Sequence, residues 1–146
     1  MRVLVHRSFD VAAPRDVVWA RLARPASWPS WAKHIKSVDV EPEGLVTAGT
    51  AGVVRLRNGV RSRFVVSTFS DGERWLWTGS FLWLRIDYDH VLEAVSEGRT
   101  RITFDVAVGG LGVASIGRFF AWIYGRNLDK AIPNLVAELE AASASR

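Results

Sequence analysis

The chain has 146 residues, 49% of them hydrophobic, which is enough for one buried core and too short for two full ones. That balance excludes a disordered chain, and the lack of any cysteine excludes disulfides, thiol catalysis and cysteine-bound metals. The formal net charge of +4 comes mostly from arginines scattered along the chain, and it reads as a solvated surface.

Met1 to Arg7 lacks the apolar stretch and cleavage site of a secretory signal. No uninterrupted apolar run reaches the roughly 18 residues of a spanning helix. The most apolar segment, Gly112 to Gly125, is broken by Arg118. These features predict a cytoplasmic protein with no integral membrane segment. Arg2 to Val11 alternates and is rich in β-branched and aromatic side chains, which predicts a first strand. Pro14 suits the first position of a helix, Asp16 places negative charge in its first turn, and Arg24-Pro25 stops it. A short helical turn over Ala26–His34 follows, holding Trp28-Pro29-Ser30-Trp31.

From Ile35 the period changes to two. Strands are expected near Ser37–Glu41, Thr50–Arg57, Val60–Ser70, Arg74–Phe81, Leu84–Ala94 and Thr100–Val108. Asn58-Gly59, Asp71-Gly72 and Glu97-Gly98 supply turn chemistry between them. Such short connections imply sequential antiparallel pairing. At Asn58-Gly59 a two-residue loop would place Arg61 and Arg63 on the face of Val54 and Leu56. A three-residue loop, Arg57-Asn58-Gly59 with Gly59 left-handed, pairs Leu56 with Val60 instead. It gathers Val54, Leu56, Val60, Ser62, Phe64 and Val66 on one buried face. Burial favours the longer loop. After Gly109-Gly110-Leu111-Gly112, a helix is expected over Val113–Ala142. Its apolar stripe would hold Ile116, Phe120, Ile123, Tyr124, Ala131, Leu135 and Leu139, with a bend at Pro133.

The order of strand, two short helices, six strands and a long helix resembles the Bet v 1-like or START-like (SRPBCC) superfamily. So do Val11-Ala12-Ala13-Pro14 leading to Val18-Trp19, Trp28-Pro29-Ser30-Trp31, and Thr100-Arg101-Ile102-Thr103-Phe104 before the terminal helix. The nearest branch is similar to the bacterial polyketide cyclase/dehydrase and lipid-transport family. The resemblance implies an α+β helix-grip fold spanning residues 1–146 as a single domain. A seven-stranded antiparallel sheet, two short helices and a long C-terminal helix would enclose a hydrophobic cavity. It also implies a cavity ligand such as a lipid, polyketide or isoprenoid. Fold alone leaves function open.

Candidate residues follow from alternation. In Ile86-Asp87-Tyr88-Asp89-His90-Val91-Leu92, Tyr88 and His90 share the inner face while Asp87 and Asp89 face outward. The aspartates therefore do not converge with His90, and neither a metal site nor a cofactor is expected. An inward histidine can orient a ligand or transfer a proton. Trp75 and Trp77 lie on one side of their strand, opposite Phe64, Val66 and Thr68. Phe120 and Tyr124 of the terminal helix face the same space. The expected ligand-binding set is His90, Tyr88, Trp75, Trp77, Phe64, Phe104, Phe120 and Tyr124, with Ser62 and Thr68 as further polar groups. Trp19 and Trp31 read as packing residues. Gly110-x-Gly112 lacks the third glycine of a dinucleotide fingerprint, since Ser115 stands there, and no strand follows. Arg55, Arg57, Arg61 and Arg63 form a basic hairpin without exposed stacking aromatics, so no nucleic-acid partner is expected.

The leading functional expectation is binding or transport of a hydrophobic small molecule. A polyketide aromatase/cyclase with His90 as proton acceptor is the enzymatic alternative. A protein-interaction module using the arginine hairpin is the third. No catalytic residue is assigned.

Overall fold

A computed structural model describes residues 1–145. The elements are β1 (Arg2–Val11), α1 (Arg15–Leu22), a 3₁₀ turn (Pro25–Ser30), β2 (Ile35–Glu41), β3 (Ala51–Leu56), β4 (Arg61–Ser70), β5 (Arg74–Phe81), β6 (Leu84–Ser96), β7 (Arg99–Gly109), a π-helical turn (Val113–Gly117) and α2 (Arg118–Ala144). The strands form one antiparallel sheet in the order β1-β7-β6-β5-β4-β3-β2. With α2 laid against it, this is an α+β helix-grip fold. Pro14 is the residue just before α1 rather than its first helical residue, and its extended backbone suits that place. Among the described residues no helix is long and apolar enough to cross a membrane.

The β3–β4 loop has the three-residue form. Leu56 N–H donates to the Val60 carbonyl at 2.8 Å, Arg55 lies opposite Arg61, and Gly59 sits at φ 93°. One detail of its expected face differs: Val60 is exposed, because it lies in the turn before β4 begins and nothing packs over it. A second difference lies further along β4. The pairing shifts between Val66 and Thr68, so Phe69 rather than Thr68 comes opposite Trp75. One extra residue inverts the alternation. Thr68 therefore faces solvent and leaves the set of inward polar groups.

The core runs from Val5, Val11 and Leu22 through Phe64, Trp75, Leu92 and Ile102 to the buried stripe of α2. That stripe is Ala121, Gly125, Leu128, Ala131, Leu135 and Leu139. Ile123, expected on it, is 41% exposed. From Phe119 to Gly125 α2 is apolar on every side, so spacing alone could not choose the buried side there. The choice follows Gly125, which lets β1 come close: an added Cβ would stand 3.1 Å from the Arg7 guanidinium. Polar bonds fix α2 at several points. Arg7 donates to both carboxylate oxygens of Asp129 at 2.6 and 3.1 Å, Ala12 N–H to Glu140 at 2.9 Å, and Asn134 to the Trp31 carbonyl at 3.2 Å.

Candidate ligand site beneath the long helix

Strand pairing assembles the inner face. Trp75 lies opposite His90 and Trp77 opposite Tyr88 across β5 and β6. Across β6 and β7, His90 lies opposite Phe104 and Tyr88 opposite Val106. The rings follow. Trp75 stacks on His90 with centroids 4.2 Å apart and planes 10° from parallel, and Phe64 stacks on Trp77 at 3.9 Å. Phe104 meets His90 edge-on at 5.6 Å. These five residues are buried and in mutual contact, so the deep half of the expected cavity is filled by aromatic side chains.

Trp28 completes this cluster, 5.2 Å from Trp77 and 5.8 Å from His90. Its indole N–H donates to the Leu22 carbonyl at 2.8 Å. Sequence reasoning did not place Trp28 here. It sits in a proline-flanked turn with no period to show which way it points, and the sequence marked it only as part of the Trp28-Pro29-Ser30-Trp31 stretch that carries the family resemblance. Trp19 lies 5.4 Å from Trp75, and both Trp19 and Trp31 are buried, as packing residues.

The outer half is less buried. Tyr88 and Tyr124 face each other at 5.5 Å, Tyr124 and Phe120 at 5.8 Å, and Phe120 and Phe81 at 5.1 Å. All four are half-buried. Trp77 joins this group to the deep one, 6.5 Å from Tyr88. All eight residues expected from sequence therefore belong to one connected cluster of rings, in a buried part and a half-buried part.

The polar groups have distinct states. His90 Nδ1 lies 3.2 Å from the Trp75 carbonyl oxygen. A carbonyl only accepts, so Nδ1 carries the proton and Nε2 is left as an acceptor. Burial pushes the imidazole pKa down to about 4, against smaller raising effects of the Trp75 hydrogen bond and of Asp89. Burial, with Tyr124 nearby, pushes the Tyr88 hydroxyl up, and burial does the same for Tyr124. Both phenols stay protonated and can donate. Among the described residues neither hydroxyl makes a hydrogen bond, and the buried Trp75 indole N–H has no acceptor. Asp89 and Asp87 point away as alternation requires: Asp89 takes two bonds from Arg74 at 2.9 and 2.8 Å, and Asp87 one from Thr78 at 2.8 Å and one from Arg85 at 3.2 Å.

A separate concavity of about 760 Å³ lies between β1 and α2. Val3, Leu4, Ala121 and Trp122 line it together with Arg118, Arg126 and Lys130, and it includes none of the eight lining residues.

Comparison with known proteins follows the same lines. A family model described as polyketide cyclase/dehydrase and lipid transport matches residues 2–140. No curated protein sequence matches the chain. Among solved structures, the hypothetical protein jhp0584 of Helicobacter pylori aligns at 14% identity and TM-score 0.73, over 91% of this chain and 85% of that one. The ZhuI aromatase/cyclase of Streptomyces sp. R1128 aligns at 17% identity and TM-score 0.68, over 93% and 92%. DynU16, a protein of the dynemicin biosynthetic locus, aligns at 22% identity and TM-score 0.69; 97% of this chain spans 49% of that one. At these identities the likeness is one of fold.

Proposed function

Since the chain belongs to the polyketide cyclase/dehydrase and lipid transport family, we propose that it binds an apolar small molecule carrying a few oxygens. The site would be at the half-buried rings between α2 and β5–β6, which would part to admit the ligand. The observation that carries this reading is the pair of tyrosine hydroxyls, Tyr88 and Tyr124, held among rings as donors with no protein acceptor. Both residues are only half-buried, so water can reach the hydroxyls in the free protein, and a ligand carbonyl or hydroxyl would take the place of that water as acceptor. Phe81 and Phe120 would supply the apolar walls, and ring-on-ring contact favours an unsaturated or planar ligand over a saturated chain.

Binding is a better fit than acid–base catalysis at His90. A base whose pKa is about 4 is unprotonated at neutral pH but has little drive to take a proton. The deep cluster also packs rings on both sides of the imidazole. His90 then serves as a fixed acceptor at the inner end of the site.

Calorimetric titration with an anthraquinone and with a long-chain fatty acid tests this. The anthraquinone should bind more tightly, and Tyr88→Phe/Tyr124→Phe should weaken it about tenfold, the loss of one or two hydrogen bonds. Equal affinity in the double variant would place the ligand elsewhere. If the protein turns over a poly-β-ketone mimic, and His90→Gln binds it normally but turns it over a hundredfold more slowly, the enzymatic reading replaces this one.

A further inference from the structure

The outward side of α2 is unusual for a helix end. Phe119, Trp122, Ile123 and Arg126 stand at i, i+3, i+4 and i+7, so they share one face, directed away from the buried stripe of Ala121, Gly125 and Leu128. Phe119 and Trp122 are each more than half exposed. Two apolar tips lie near the start of α2, where Phe81 packs 5.1 Å from Phe120. One is the β5–β6 turn, where Leu82 and Trp83 are more than half exposed, and the other is Leu111 before α2, 86% exposed. The Trp83 indole N–H donates to the Leu111 carbonyl at 2.7 Å, which ties the two tips together. Leu82 adopts φ 55°, a left-handed conformation that glycine takes freely and a bulky side chain does not. The turn thus holds a large apolar side chain in solvent at a cost in both backbone strain and hydration.

The charges on this side have one sign. From Val106 to Leu128 the sequence contains Arg118 and Arg126 and no acidic residue. The Arg126 guanidinium sits 5.7 Å over the Trp122 ring. The groove between β1 and α2 adds Lys130, and its one carboxylate, Asp129, is bound by Arg7.

We infer that this face docks the protein on an anionic lipid bilayer, with Phe119, Trp122, Leu82, Trp83 and Leu111 entering the interface and Arg118, Arg126 and Lys130 meeting lipid phosphates. Tryptophan beside arginine suits the headgroup boundary, where the ring is partly buried and the cation stays hydrated. A second copy of this chain is the poorer occupant, because a two-fold contact would set Arg118 and Arg126 against the same cations. An acidic protein would satisfy the charges but gives no reason for bulky apolar groups on separate protruding tips.

Co-sedimentation with vesicles tests the docking. Vesicles of phosphatidylcholine alone are compared with equimolar phosphatidylcholine and phosphatidylglycerol. The protein should partition at least about tenfold better to the anionic vesicles, and less as salt rises. Phe119→Ser/Trp122→Ser and Arg118→Glu/Arg126→Glu should each lower this partition about tenfold or more, with thermal stability kept. Leu82→Gly separates docking from folding: it should raise the melting temperature by relieving the turn and yet weaken vesicle binding. The proposal is overturned if the protein ignores both vesicles, or if it binds them equally well with Trp122 and both arginines replaced. It is also overturned by a concentration-dependent dimer that hides Trp122, or by arginine-dependent binding to polyglutamate without binding to vesicles.

Discussion

An imidazole held neutral among rings leaves a trace in stability against pH. Above the ordinary value of 6.5, His90 is neutral both folded and unfolded and contributes nothing to the pH dependence. As pH falls from 6.5 towards about 4, the unfolded chain takes up a proton that the folded chain excludes, and stability drops. His34, lowered by burial as well, acts in the same direction. The carboxylates of Asp10 and Asp129, held low by Arg101 and Arg7, lose their contribution only in more acid solution. Urea unfolding at about pH 7 and about pH 5 should show a loss on the order of 2 kcal/mol that His90→Gln largely removes. An equal loss in both proteins would mean that the ring is hydrated and titrates normally. The inward placement of His90 was legible from strand alternation alone. Its stacking on Trp75 was not, because ring orientation depends on neighbours from β5, β7 and the 3₁₀ turn together.

Turns and bulges decide which side chains an element turns inward. In the β3–β4 loop, Gly59 sits at φ 93° with nothing within 4 Å of where a Cβ would stand, so its need is for backbone conformation and not for space. Gly59→Ala should therefore cost about 1 kcal/mol. Gly98, in the β6–β7 turn, has equally open surroundings and no positive φ, so Gly98→Ala should be neutral or slightly stabilising. Chemical denaturation of the two variants checks this, and equal costs would remove the conformational explanation. The three-residue loop could be read from sequence because the rival register buried two arginines. The shift between Val66 and Thr68 could not: Ser67, Thr68 and Phe69 suit either side of a strand, and only pairing with Leu76 and Trp75 selects one.

For the molecule as a whole, α2 covers the inner face of the sheet and contributes Leu128, Ala131, Leu135 and Leu139 to the core. At about 25 cal/mol per Å² of apolar surface, exposing these and the rings beneath them exceeds the usual margin of stability. A chain ending at Gly112 should be insoluble or unfold without cooperativity in calorimetry; a sharp transition would show that the sheet stands alone. The sequence by itself determined the element order, the antiparallel pairing and the inward faces of β5 and β6, because periodicity and turn residues are local and burial leaves them one consistent solution. Only the tertiary structure decided that rings fill the deep half of the interior, that Trp28 closes it, and that α2 buries Ala121 while turning Trp122 and Ile123 outward. Those outcomes depend on the fit of large side chains brought together from distant elements, and the stretch Phe119–Gly125, apolar on all sides, carries no periodic signal of which side will be covered.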